Sequence, residues 1–235
     1  MLRALVLFAL AVPGAYALSP IHDASVEFIP SISEPFSKPS LLIGQYYTDD
    51  ANQKIRVPGA YLHPVTREVQ LGFALQTRWY EEPNNVRHLV FGAAYRPDTF
   101  SPWTFQADAL WGVANYAGDG LTFTGRYLAQ PSDILHVLGS ARVGFLDALV
   151  WYPDVAVVSA SVTPRLILGE KVSLGLEVFS AAQLPGVADF YSLDFGPDIV
   201  IRINQDLSIR GGAHLGVFGP EKSSPRFELA EQYAL

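Results

Sequence analysis

The residues with the most chemical potential in this sequence are arginines and carboxylates that share a parity. Arg56, Arg78, Arg126, Arg142, Arg165, Arg202 and Arg210 fall at alternate places in runs of alternating polarity. Glu68, Asp108, Glu177, Asp194 and Asp198 fall on the same side of those runs, with His88, His136 and His214. Lysine is nearly absent from the set, since Lys171 lies at a strand end. The planar, permanently charged guanidinium suits bidentate pairing with carboxylates in a confined space. Two uses follow: an ion-pair network that fills a narrow interior, or a charged lining that sorts ions, tilted toward anions by the arginine excess. A third use is acid–base work by His136 or His214 with Ser140 as nucleophile. Ser140 lies four residues from His136 on one strand, roughly 13 Å away, so those two cannot bond directly. No metal-ligand spacing and no cofactor motif appears, and Gly118-Asp119-Gly120 and Gly211-Gly212 precede no helix that would make a phosphate loop.

The elements that must position these groups have a period of two. In Glu68–Trp79, Val69, Leu71, Phe73, Leu75 and Trp79 alternate with Glu68, Gln70, Gly72, Ala74, Gln76 and Arg78. Successive strand side chains point to opposite faces, so one face is apolar and the other polar or small. The pattern recurs at Trp103–Val113, Leu121–Tyr127, Leu135–Phe145, Val172–Val178, Leu193–Ile203 and Leu207–Val217. Several runs exceed the five or six residues usual in globular strands and match the roughly 9–11 that cross a bilayer at a tilt. An apolar face outside and a polar face inside is the arrangement of a transmembrane barrel. A soluble β-sandwich, with the charges turned to water, is the other arrangement that alternation permits.

Composition narrows the choice. Of 235 residues 49% are hydrophobic and only 17% charged, against about 25% charged in ordinary soluble domains. Beyond the N-terminus no apolar run reaches the roughly 18 residues of a membrane helix. The net charge of −7 without basic clusters argues against nucleic acid as a partner, and the absence of cysteine excludes disulfides and thiolate metal sites. Residues 1–17 read as a signal peptide: Arg3, an apolar core from Ala4 to Val12, Pro13-Gly14, then Ala15-Tyr16-Ala17 as an A-x-A site. Residues 18–40, with Pro20, Pro30, Pro35 and Pro39, read as a proline-rich periplasmic lead-in.

From Leu41 to Leu235 the sequence predicts an all-β, antiparallel up-and-down barrel of twelve strands, with ten as the alternative. The strands are expected near 41–48, 54–63, 67–80, 87–96, 102–116, 120–130, 134–146, 155–168, 171–182, 189–203, 207–218 and 226–235. Short connectors such as His63–Thr66, Gly169-Glu170 and Asn204–Asp206 alternate with longer, acidic ones, the habit of barrels with periplasmic turns and outer loops. Tyr61, Tyr95, Trp103 and Tyr233 are placed at the periplasmic ends as an aromatic girdle, and Tyr46, Tyr47, Trp79, Tyr80, Tyr116, Trp151, Tyr152 and Tyr191 at the outer ends.

In Arg226–Leu235, Phe227, Leu229, Tyr233 and Leu235 alternate with Glu228, Ala230, Gln232 and Ala234. Here the chain resembles the outer-membrane β-barrel class, whose last strand carries an aromatic third from the end and a hydrophobic final residue. Leu235, where Phe or Trp is usual, and Glu231 on the outward face depart from that pattern. The resemblance implies location in the bacterial outer membrane, contact with its lipids and lipopolysaccharide, and recognition of that strand by the barrel-assembly machinery. Asp49-Asp50 and Glu81-Glu82 in outer loops are candidates for divalent bridges to lipopolysaccharide, though solvated loop charges explain them as well. Function is expected to be a small passive, porin-like conduit. The alternatives are a structural or surface-interaction barrel with a plugged lumen, a barrel-embedded lipid hydrolase, and a soluble periplasmic lipid-binding sandwich.

Overall fold

The computed structural model describes residues 38–48, 54–79, 86–98, 101–113, 119–146, 155–184, 191–218 and 225–235. The expected signal peptide, the lead-in up to residue 37, and the acidic pairs Asp49-Asp50 and Glu81-Glu82 lie outside the described residues. Twelve strands run in order: β1 (Ser40–Thr48), β2 (Lys54–Pro64), β3 (Val69–Trp79), β4 (Val86–Tyr95), β5 (Trp103–Gly112), β6 (Gly120–Ser132), β7 (Leu135–Leu146), β8 (Val155–Leu168), β9 (Val172–Leu184), β10 (Tyr191–Arg202), β11 (Leu207–Phe218) and β12 (Pro225–Ala234). Each pairs antiparallel with its sequence neighbours, and β1 pairs with β12 from Ser40↔Ala234 to Thr48↔Arg226, so the sheet closes on itself. Ten strands is therefore set aside.

Closure explains how so long a set of strands avoids an open edge: every ladder finds a partner within the chain. The two faces then separate by chemistry. On β3, Phe73 is 42% exposed, Ala74 5% and Leu75 46%. On β8, Val162 and Leu166 are exposed while Ser161, Thr163 and Arg165 are buried. Exposed Phe91, Phe105, Trp111, Phe123, Leu174, Phe195 and Leu229 carry the same face around the ring. A sandwich would bury these apolar faces between two sheets. Here they look outward from one closed sheet, which removes the sandwich and calls for a hydrocarbon surrounding.

The turns at the end that holds the first and last described residues are short and locally bonded. Thr66 Oγ1 accepts from the Val69 amide (3.1 Å), and Val65 N donates to Val69 O (2.9 Å). Asn204 Oδ1 accepts from Asp206 N and Leu207 N, both at 2.8 Å. Gly169, between β8 and β9, has φ 77°, a left-handed conformation that a Cβ disfavours, so a two-strand reversal fits there in three residues. The seam is fastened at this rim by Leu235 N to Pro39 O (2.8 Å), Ala234 N to Asp206 O (2.7 Å) and the Lys38–Asp206 ion pair (3.0 Å).

Tyr61, Tyr95 and Trp103 are exposed and Tyr233 is half-buried at the same rim. Tyr127 joins them, its ring centroid 4.7 Å from that of Trp103. The expected outer girdle lies outside the described side chains.

Candidate functional site

The interior wall is built by the alternate residues of each strand, and its chemistry changes around the ring. On β2 to β5 the buried interior residues include Ala60, Ala74, Val90 and Leu110. Six strands away in the closed order, β8 to β11 carry Arg165, Glu177, Asp194, Asp198, Arg210 and His214, all buried.

Five of these six form one chain of alternating basic and acidic groups. Arg165 Nη2 donates to Asp198 Oδ2, and Arg165 Nη1 donates to Ser173 Oγ (3.1 Å). Arg210 Nε lies 3.1 Å from the same Asp198 oxygen, and Arg210 Nη2 donates to Glu177 Oε2 (3.0 Å). His214 Nε2 stands 3.7 Å from that Glu177 oxygen. Arg165 and Asp198 sit on strands that do not touch each other, with β9 between them. They meet because the intervening residue is Gly175, register partner of both. A Cβ there would collide with the Asp198 carboxylate and stand 3.1 Å from Arg165 Nη2. The glycine thus makes the floor on which the ion pair rests.

A second group lies on β5 to β7. Gln106 Nε2 donates to both Asp108 oxygens (2.8 Å each), and Thr122 Oγ1 donates to Asp108 Oδ2 (3.4 Å). Arg126 Nη1 donates to Gln106 Oε1 (2.8 Å), and Arg142 Nε donates to Thr124 Oγ1 (3.0 Å). Both guanidiniums act electrostatically on Asp108. Gly92 repeats the role of Gly175, since a Cβ on it would collide with Asp108. Between the two groups runs a strip of buried hydroxyls, Ser159, Ser161 and Thr163 on β8 and Ser173 on β9.

Of the sequence-derived candidates, the structure brings Asp108, Arg126 and Arg142 into the second group, and Arg165, Glu177, Asp198, Arg210 and His214 into the first. Asp194 is buried on β10 above them, and His136 is half-buried near the start of β7, register partner of Arg165. Two candidates leave the interior. Glu68 precedes β3, and its carboxylate accepts from Thr66 Oγ1 (3.0 Å) within the turn. Arg202 is the last residue of β10 and is exposed, because alternation no longer holds a side chain inward where the strand gives way to the turn. Arg56 and Arg78 are register partners on β2 and β3, but their side chains, like that of His88, lie outside those described. The rim also holds Arg96, buried after β4; burial pushes its guanidinium below the usual value and Asp98 opposes that shift.

Ser140 Oγ lies 2.8 Å from Ser161 Oγ across the β7–β8 ladder, so its polar neighbour is a second hydroxyl. Sequence reasoning had not singled out Gly175, Gly92 or the hydroxyl strip, although the strand parity contains all of them. The outward residues of β12 are Phe227, Leu229, Glu231 and Tyr233, with Leu235 exposed beyond the strand.

No protein-family model and no curated protein matches this sequence. Among solved structures, an outer-membrane channel from Pseudomonas putida F1 is similar with TM-score 0.64 and 11% identity, over 88% of this chain and 99% of that one. The KdgM porin gives 0.56 and 12%, over 83% and 99%. The translocator domain of the autotransporter NalP from Neisseria meningitidis gives 0.57 and 9%, over 97% and 98%. At these identities the likeness shows the shared fold, the closed β-barrel of outer-membrane proteins. These neighbours are channels, porins and translocators rather than enzymes.

Proposed function

We propose that this chain spans the bacterial outer membrane as a narrow passive conduit for small polar solutes, with a preference for anions. The observation that carries the reading is the inverted polarity of a closed barrel: an apolar exterior around a charged and hydroxyl-lined wall on β5 to β11. The narrowness follows from how little of that wall is exposed, with Arg165 at 1% and Glu177 at 2%. A wide water column would leave its lining wet.

The anion preference is assigned to the β5–β7 wall. There Arg126 and Arg142 stand against the single carboxylate Asp108, whereas on β8–β11 the arginines Arg165 and Arg210 meet Glu177, Asp194 and Asp198. The terminal strand, with Phe227, Leu229, Tyr233 and Leu235, is proposed as the segment read by the barrel-assembly machinery. We read the chain as a non-enzyme, supported by the engagement of Ser140 with Ser161. The same burial favours a second reading, a structural barrel with a filled lumen.

Single-channel recording on the pure protein in planar bilayers separates the two. A conduit gives small, resolvable steps with a reversal potential on the anion side, and neutralising Arg126 and Arg142 together moves that potential toward cations. Silence at every voltage, with no solute uptake in liposome swelling, overturns the conduit and leaves the filled barrel.

A further inference from the structure

The outward face carries one group that no conduit needs. Among the strand residues whose side chains the structure describes, it holds a single formally charged group, Glu231 on β12. Its register partners are Ile43 on β1 and Ile209 on β11, and its neighbours along the same face of β12 are Leu229 and Tyr233. Tyr233 Oη donates to Glu231 Oε2 at 2.7 Å, and no basic side chain of the described residues pairs with it.

An unpaired carboxylate facing hydrocarbon is costly, and such residues persist where something offsets the charge. Tyr233 supplies a hydrogen bond but no positive charge. It also sets the direction. Tyr233 and Tyr61 are both register partners of Leu41, so the tyrosines flank one position of the rim girdle. Glu231 lies one pleat further into the apolar band, roughly 6–7 Å along the strand. Bonding to a hydroxyl nearer the rim draws its carboxylate back toward the headgroup layer, as long side chains do near an interface. What that layer offers a carboxylate is a cation carried by lipid.

We propose that Glu231 and Tyr233 form a lipid-headgroup site at the β11–β12–β1 seam. It takes the protonated primary amine of an aminophospholipid in the leaflet on the side of the short turns. The ammonium donates to Glu231 while Tyr233 holds the carboxylate in place, and the acyl chains lie along Ile43, Ile209 and Leu229. This rests on the membrane-spanning reading above.

The test uses the full chain folded into vesicles, with native mass spectrometry counting retained phosphatidylethanolamine against phosphatidylcholine of the same acyl chains. Phosphatidylcholine keeps the charge but has no N–H to donate. The wild type retains phosphatidylethanolamine preferentially. Glu231→Gln lowers that preference about fivefold, as for one partly exposed ion pair. Tyr233→Phe, which keeps the carboxylate, gives a smaller loss. All three still shift in gel migration on heating. A preference equal in wild type and Glu231→Gln overturns the site. So does a wild-type dimer that Glu231→Gln abolishes, since the carboxylate then meets a second copy. Absence of any heat-dependent shift in every lipid defeats the membrane reading itself, and the site falls with it.

Discussion

Replacing Asp198 with asparagine is the sharpest test of the interior network. The carboxylate serves two guanidiniums, Arg165 and Arg210, and its side chain is 0% exposed, with Arg165 at 1% and Arg210 at 8%. Solvent screening therefore gives little relief. Asparagine keeps the shape and one acceptor but removes the charge. Arg210 retains Glu177 at 3.0 Å, while Arg165 keeps its bond to Ser173. Breaking a buried pair from one side costs about 3–5 kcal/mol, because the remaining charge stays buried. The retained acceptor and the bond from Arg210 to Glu177 place Asp198→Asn near the lower end, about 3 kcal/mol or roughly 150-fold in the folding equilibrium. The assay is equilibrium unfolding by urea in lipid vesicles, read as the fraction migrating in the compact form without boiling. A second variant, Asp198→Asn with Arg165→Met, removes the stranded cation and regains part of the loss. The reasoning is refuted if Asp198→Asn lies within about 1 kcal/mol of wild type, the range of an exposed pair. It is equally refuted if the double variant is no more stable than the single one.

Two further outcomes follow from packing and from the exterior. Gly175→Ala forces a Cβ into the Asp198 carboxylate and lowers stability in the same assay by about 1–3 kcal/mol, the usual overpacking range. Gly139→Ala, whose nearest atom would be Tyr127 O at 3.9 Å, is the control and changes little. Phe91→Arg puts a cation at the middle of β4 on the outward face and costs about 2–4 kcal/mol in a bilayer. Equal stability of Phe91→Arg and wild type in vesicles would contradict a lipid-facing wall.

The fold was legible because a closed barrel repeats one rule twelve times. Val69, Leu71, Phe73 and Leu75 announce an outward face without any long-range information, and Pro, Gly and Asn at 64, 169 and 204 mark where strands reverse. Legibility fails where the strand does. Parity carries Glu68 and Arg202 inward, but a residue at the turn answers to local hydrogen bonds such as Thr66 Oγ1 to Glu68 Oε2. The expected reach of β5 to residue 116 likewise gives way at Gly112, whose amide donates to Asp119 Oδ1 at 3.0 Å. The pairing of charges was beyond sequence for a different reason. Arg165 and Asp198 are 33 residues apart on strands separated by β9, and their meeting depends on register plus the missing side chain of Gly175. Ser140 shows the same limit: its partner lies across the ladder, at Ser161.

That geometry divides the labour of the interior charges. The carboxylates Asp198 and Asp108 each rest over a glycine, so their places are set by backbone shape as well as by their partners. On β8 to β11 two arginines interlock with Asp198 and Glu177 in a chain of fixed bonds, and charges paired at contact distance exert little net field on a passing ion, while Asp194 adds a third carboxylate to that side. That chain fills interior space and ties β8 to β11 together, and in the proposed conduit it would sort solutes by size. The β5–β7 wall differs in its count, with two guanidiniums, Arg126 and Arg142, to one carboxylate, Asp108, and the proposed preference for anions is assigned there. Among the interior arginines whose side chains are described, the proposed anion preference therefore rests on Arg126 and Arg142. Changing the β8–β11 chain is expected to alter stability first, whereas changing these two is expected to alter which ions the proposed conduit prefers.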